Sequence, residues 1–190
     1  MAFTPRLNSS GMLNNPKWYS ENIFYIAGYG LPNCTCYAWG RFWEESNTDP
    51  NDMSRKPLNL PTGDGGQWWG QNQQSGAYES GQVPKLGAVI CFEDNNGGSG
   101  HVAIVEQIDA NGNLTTSNSA YGGTYFWTDT VVNVGGTYNW SHYTCQGFIY
   151  NPYTEEPEPP MQGTKKSKFP WVLYARNFRN RSWQIKKLFI

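Results

Sequence analysis

Short segments of strand-forming residues, separated by turn-forming ones, constrain the fold of this chain more than any other feature. β-Branched residues are frequent in 88–92, 101–106 and 114–118, and the stretches 95–100 and 109–113 between them are rich in glycine and asparagine. Segments of this length predict β-strands, and turns of this composition join antiparallel neighbours. The middle of the chain therefore predicts an antiparallel meander.

A helix is predicted before the meander, from Cys34 to about Ser46. Asn33 suits the N-cap position, because its side chain can accept a hydrogen bond from the first turn. Ala38 and Phe42 recur at a spacing that places them on one face of a helix. This arrangement puts Cys34 in the first helical turn.

Two further strands are predicted at 125–133 and 144–150, and a helical turn is predicted at 65–72. A helix followed by an antiparallel sheet defines an α+β fold class.

Residues 1–22 are rich in Asn, Ser, Gly and Pro without periodicity, which predicts a lead-in along the surface rather than a helix.

The length of 190 residues suits one compact domain with an appendage. We expect the domain at 1–153, an acidic proline-rich linker at 154–163 and a basic aromatic tail at 164–190.

The four cysteines are too few for a disulfide scaffold, so we expect free thiols.

The formal net charge of −1 conceals an asymmetry. Residues 1–162 contain all 15 acids and six of the 14 bases, which gives −9, whereas the other eight bases give 163–190 a charge of +8. Nucleic acid is not an expected partner, because the main domain is acidic and would repel phosphate.

No apolar run approaches the roughly 20 residues that span a bilayer. Residues 1–7 lack the basic head and apolar centre of a secretory signal. These patterns predict a soluble product that is made in the cytoplasm without a signal peptide.

Candidate catalytic residues follow from the predicted elements. A thiol in the first turn of a helix, as predicted for Cys34, is favoured as thiolate by the unpaired amides there. His101 begins a predicted strand after a glycine-rich turn and can serve as the base. Asn118 lies on the next strand, where a hairpin brings it alongside His101 and lets it hold the imidazole in one tautomer.

Other reactive or aromatic residues have simpler interpretations. Cys91 and Cys145 lie in predicted strands and are expected to be buried small apolar residues. His142 is expected at the surface or in packing, and Glu106 is expected to be a surface acid. A zinc site is not expected, because a Cys-x-Cys pair lacks the spacing of structural zinc ligands, and no metal or cofactor is predicted.

Several aromatic residues are candidates for contact with substrate. Trp68, Trp69 and Tyr121 could line a groove and stack on sugar rings, as could Trp127. The alternative is that these side chains pack the core, as most aromatic residues do.

Five segments resemble the CHAP family, the cysteine- and histidine-dependent amidohydrolases and peptidases. Residues 33–41 (NCTCYAWGR) resemble its nucleophile segment. Residues 86–90 (LGAVI) and 100–106 (GHVAIVE) are similar to its paired strands with the histidine. Residues 116–119 (TSNS) stand where the family has its third catalytic residue, and 145–150 (CQGFIY) resemble its closing strand.

The resemblance implies a papain-like α+β fold, in which the N-terminal helix with the nucleophile packs on an antiparallel sheet. It also implies cleavage of an amide bond in bacterial peptidoglycan by Cys34 as nucleophile, His101 as general base and acid, and Asn118 as the orienting residue. Many family members have glutamate in place of Asn118; asparagine keeps the hydrogen bond without the charge. Cys36 follows two residues after the nucleophile and should point about 200° around the helix.

The expected function is an endolysin-like peptidoglycan hydrolase from a phage of a Gram-positive host, either an N-acetylmuramoyl-L-alanine amidase or an endopeptidase. Release through a holin and delivery on a virion remain alternatives, as does an inactive wall-binding module. The protein is expected to be a monomer. The basic tail, 164–190, either contacts anionic wall polymers or the membrane surface or is a solvated extension.

Overall fold

The fold is seen in a computed structural model, which describes residues 3–10, 12, 17–46, 49 and 51–154. The predicted linker, apart from Thr154, and the predicted tail lie outside the described residues. Among the described residues, no helix has both the length and the apolar character needed to cross a membrane.

The helices are α1 (Lys17–Ser20), α2 (Ile23–Ile26), α3 (Cys34–Ser46) and α4 (Trp68–Ser75), with short 3-10 turns at Met53–Arg55 and Gly65–Gln67. Helix α3 has the predicted bounds. Its start is fixed by Asn33, whose Oδ1 accepts hydrogen bonds from the backbone N–H groups of Thr35 at 2.8 Å and Cys36 at 3.2 Å. Two of the first-turn amides are thereby satisfied, which confirms the predicted N-cap.

The strands are β1 (Ser80–Gly81), β2 (Val89–Asp94), β3 (His101–Ile108), β4 (Leu114–Asn118), β5 (Trp127–Val131) and β6 (Tyr143–Ile149). They form one sheet in the order β1-β6-β2-β3-β4-β5, and each neighbouring pair is antiparallel. The predicted meander is therefore present as β2 to β5. Together with the helices it confirms the α+β fold class.

Helix α3 packs on one face of this sheet. Alternate residues of the central strands, including Val89, Val102 and Ile104, pack in the same core as the helix. Their neighbours, such as Ile90 and Ala103, point to the opposite face and form a second apolar core. A sheet covered on both faces needs apolar residues at successive positions, which is why β2 and β3 read as nearly continuous apolar runs.

The segment before α2 differs from its prediction. Trp18 and Tyr19, on α1, are buried, as is Met12. The close contact of α1 with α3 depends on Gly40, because a Cβ there would lie 2.6 Å from the Tyr19 ring. The prediction of a helix-free surface lead-in was thus wrong for 17–20, which contributes to the core.

Glu106 also differs from its prediction, because its side chain is fully buried rather than at the surface. The register of β3 against β4 shifts between Val105 and Gln107, at the position of Glu106. Its carboxylate accepts two hydrogen bonds from Arg41 at 3.0 Å each and one from Ser117 Oγ at 2.7 Å. A buried carboxylate is tolerated here because a guanidinium and a hydroxyl compensate it.

Candidate active site

Cys34 lies at the start of α3, where the helix meets the sheet. Its side chain is partly exposed, and its sulfur accepts a hydrogen bond from the backbone amide of Val102. Val102 directly follows His101 at the beginning of β3. The fold therefore brings the thiol to the residue next to the imidazole, across 67 intervening positions of sequence.

The electrostatic surroundings of Cys34 differ from the expected ones. Burial raises the pKa of the Cys34 thiol, and the Asp64 carboxylate raises it further, although the amides of Val102 and Thr35 act in the opposite direction. Desolvation therefore outweighs the first-turn amides that were expected to favour a thiolate. The resting site holds a neutral thiol.

His101 and Asn118 form the hydrogen bond that the hairpin predicted. His101 Nε2 lies 3.1 Å from Asn118 Oδ1. The Asn118 amide is held in this orientation because its Nδ2 donates to Thr116 O at 3.2 Å and to Thr116 Oγ1 at 3.1 Å. With the amide oxygen facing the ring, His101 Nε2 carries the proton, and Nδ1 is the unprotonated ring nitrogen.

Aromatic rings surround the His101 imidazole. Ring centroids of Phe92, Trp127, Trp140 and Tyr143 lie 5.5 to 6.4 Å from its own. Burial lowers the pKa of His101 to about 4, although the bond to Asn118 acts in the opposite direction. The imidazole is therefore neutral at neutral pH, and burial makes it a weaker base than an exposed histidine.

Three of these rings, Phe92, Trp140 and Tyr143, were missed by the sequence reasoning. Phe92 pairs with His101 across β2 and β3, and this register could have indicated it. Trp140 precedes β6, and its indole Nε1 donates to Asp129 Oδ2 at 3.1 Å. Nothing in the sequence pattern predicted that this loop folds over the histidine.

Glycines allow the loop before α4 to pack tightly against the histidine segment. A Cβ at Gly65 would lie 2.9 Å from the backbone of His101, and a Cβ at Gly100 would overlap the backbone of Gly66. Gly100 also has a φ of +71°, which favours glycine. These close approaches fix the position of the chain at the start of β3.

The three residues predicted to contact substrate lie in different surroundings. Trp68 is fully buried, stacks on Phe24 and donates from Nε1 to Gly63 O at 3.0 Å. It cannot stack on a sugar, and that prediction was wrong because α4 turns this residue into the core. Trp69 is half-buried, and Tyr121 is 72% exposed, so both remain candidates for substrate contact.

The remaining cysteines and His142 were not among the residues predicted to be catalytic. All four cysteines are free; Cys91 is buried, as expected, whereas Cys145 is half-buried. His142 is exposed, and its Nε2 lies 3.7 Å from Asp94 Oδ1. Among the described residues, no group of three or more His, Cys, Asp or Glu side chains is arranged to hold a metal ion.

Comparison with known proteins identifies the class to which this fold and site belong. Residues 24–120 match the CHAP domain family, and this range includes Cys34, His101 and Asn118. The match covers more than half of the chain, so the chain belongs to the CHAP domain family.

A solved structure with similarity to this chain is described as N-acetylmuramoyl-L-alanine amidase from Staphylococcus aureus. The identity is 24% and the TM-score is 0.42. The match covers 55% of this chain and 28% of that one, so the similarity spans just over a quarter of the staphylococcal protein.

Proposed function

We propose that this protein is a peptidoglycan hydrolase that cleaves an amide bond by a thiol mechanism. The observation that carries the proposal is the site itself: the partly exposed thiol of Cys34 accepts a hydrogen bond from the backbone amide of Val102, and the preceding residue, His101, is oriented by Asn118. Membership of the CHAP domain family supports the substrate class. Cys34 is the nucleophile, His101 the general base and acid, and Asn118 the orienting residue.

The first half-reaction transfers the acyl group to sulfur. The thiol proton of Cys34 moves to His101 Nδ1 as the sulfur attacks the carbonyl carbon, and backbone amides near Cys34 stabilise the negative charge that develops on the carbonyl oxygen. His101 then gives the proton to the leaving nitrogen, the carbon–nitrogen bond breaks, and a thioester and a free amine result.

The second half-reaction releases the acid. Water gives a proton to His101 and attacks the thioester, the carbon–sulfur bond breaks, and the proton returns to Cys34 sulfur. Asn118 keeps the imidazole in the required tautomer throughout both steps. Because thiol and imidazole are neutral at rest, proton transfer accompanies the attack and no ion pair is formed beforehand.

The biological setting is an inference from the family and the sequence. We infer an endolysin-like enzyme that acts on the wall of a Gram-positive host, with delivery on a virion as the alternative. Trp69 and Tyr121 contact the substrate, and the basic residues of 164–190 contact anionic wall polymers or the membrane surface. The enzyme acts as a monomer and needs no cofactor.

Digestion of purified peptidoglycan, followed by mass spectrometry of the fragments, tests the reaction and names the broken bond. An amidase releases stem peptides with a free N-terminal alanine, whereas an endopeptidase leaves stems attached to glycan and frees an amine within the peptide. We expect one of these two patterns. Binding without new amino groups, unaffected by iodoacetamide, would instead identify a wall-binding module and contradict the proposal.

A further inference from the structure

One buried hydrogen bond joins the two elements that carry Cys34 and Asn118. The backbone N–H of Asn33 donates to Ser119 Oγ at 3.0 Å, and Ser119 is fully buried. Asn33 directly precedes Cys34, and Ser119 directly follows Asn118. The bond therefore fixes the start of α3 against the end of β4, one residue from the thiol and one residue from the orienting amide.

Asn33 transmits this contact into the helix. Its side-chain Oδ1 accepts from the backbone N–H of Thr35, from Thr35 Oγ1 at 2.7 Å and from the backbone N–H of Cys36. The side chain thus caps α3 while the backbone N–H binds Ser119. A shift of Asn33 relative to Ser119 would move the first turn of the helix, which contains Cys34.

The alternation of β4, continued for one residue beyond Asn118, places Ser117 and Ser119 on the same side of the chain. Both side chains bind the α3 segment. Ser117 Oγ accepts from Tyr37 Oη at 2.9 Å, and Ser119 Oγ accepts from the backbone N–H of Asn33. Asn118, between them, points to the opposite side of the strand, towards His101. The strand is therefore held to the helix on both sides of Asn118.

Ser119 is the contact that lies nearer the reacting groups. Ser117 shares its hydroxyl with the buried carboxylate of Glu106, whereas Ser119 contacts the residue next to the nucleophile. Catalytic groups must be held to within about 0.5 Å of their productive geometry. A misplacement of about 1 Å can lower a rate roughly 100-fold.

We propose that Ser119 is a positioning residue for the reaction, whose hydroxyl holds the helix with Cys34 in register with the strand that orients His101. The inference rests on the proposed function, since it assumes that Cys34 and His101 act together. Ser119 does not itself contact the reacting atoms in this role.

The test compares Ser119→Ala with Ser46→Ala in the full chain. Ser46 is an equally buried serine at the far end of the same helix, and its Oγ bonds Phe42 O and Asn151 Oδ1. Both variants lose a buried hydrogen bond, so both should unfold at a slightly lower temperature. Only Ser119→Ala should lower kcat on peptidoglycan, by roughly 10- to 100-fold, with KM changed less than about twofold.

A second measurement follows the alkylation of Cys34 by iodoacetamide, with mass spectrometry of the Cys34 peptide. At neutral pH the rate should fall several-fold in Ser119→Ala, because the thiol loses its aligned base, and stay unchanged in Ser46→Ala. Ser119→Cys keeps the volume but offers Asn33 only a weak acceptor, so it should lie between wild type and Ser119→Ala.

Two results would overturn the positioning role: a kcat and an alkylation rate in Ser119→Ala within twofold of wild type, or equal losses in Ser46→Ala. Failure of the proposed function is distinguishable. It would appear as full activity in a variant without the Cys34 thiol. Failure of this inference alone leaves the activity dependent on the Cys34 thiol and gives one of the two results above.

Discussion

The protonation of Cys34 and His101 sets how the proposed site can work. Burial raises the pKa of the thiol and lowers that of the imidazole to about 4, so both groups are neutral near pH 7. The sequence indicated a thiolate because Cys34 begins a helix, and that reasoning placed the residue correctly. That reasoning could not include the aromatic rings and apolar strands, which exclude water from both side chains and so oppose charge on either of them.

Stability should fall in acid because of His101. Its folded-state pKa of about 4 lies below the value of roughly 6.5 for an exposed histidine, so its neutral form is favoured on folding. That contribution is present above about pH 6.5 and is lost as the pH falls towards 4. Over this range, urea unfolding should show wild type losing about 3 kcal/mol more than His101→Gln. Equal losses in the two proteins would contradict the burial of a neutral imidazole.

Helix α4 shows how neighbouring residues with the same side chain take different roles. Trp68 lies in the core and Trp69 packs half-buried against β6, where a Cβ on Gly147 would meet its ring. The composition favours neither tryptophan, because the direction of the helix against the sheet decides which one is buried. The long helix α3 was predictable from Cys34 to about Ser46, since Asn33 marks its start and the apolar spacing indicates a helix.

The two tryptophans should therefore respond differently to truncation. Trp68→Ala should lower the free energy of unfolding by about 3–5 kcal/mol, because a fully buried indole leaves a cavity. Trp69→Ala should cost less stability and raise KM for peptidoglycan, since part of its ring is available to substrate. Denaturant unfolding and steady-state kinetics measure the two effects. A larger stability loss in Trp69→Ala than in Trp68→Ala would contradict this assignment.

A buried ionic cluster around Arg41 connects distant segments of the described domain. Glu106 of β3 accepts from Arg41 of α3, from Ser117 of β4 and from the backbone N–H of Arg6 at 2.7 Å. The Arg6 guanidinium pairs with Glu44 of α3. The cluster therefore joins the start of the chain, the helix and two strands on the side of the sheet that faces α3.

Such a cluster was not predictable from the sequence. Glu106 follows an apolar run, as the first exposed residue of a strand often does, and its two arginine partners are 65 and 100 positions away. The strands themselves were predictable, because alternation and turn residues are local signals. Which acid is buried depends on contacts between distant segments, and one sequence carries no direct record of them.

Removing the charge of Glu106 should destabilise the whole domain. Glu106→Gln removes the fully buried carboxylate shared by Arg41, Ser117 and the backbone N–H of Arg6, while Glu44 and Glu45 still pair with Arg41. The loss of these buried hydrogen bonds should lower the free energy of unfolding by about 1–3 kcal/mol. Glu79→Gln is the matched control, because Glu79 is 79% exposed and its pair with Lys85 should contribute less than about 1 kcal/mol. Urea unfolding near neutral pH compares them, and similar values for the two variants would contradict the stabilising role of the cluster.

The most direct measurement compares Cys34→Ser with Cys36→Ser for release of amino groups from purified peptidoglycan. Cys36 is two residues away on the same helix but is fully buried, so its replacement tests the helix without removing the partly exposed thiol of Cys34. With circular dichroism showing both variants folded, Cys34→Ser should lose at least about 1000-fold in kcat/KM, and Cys36→Ser should stay within about tenfold of wild type. Release at the wild-type rate by Cys34→Ser would contradict a thiol mechanism at this site.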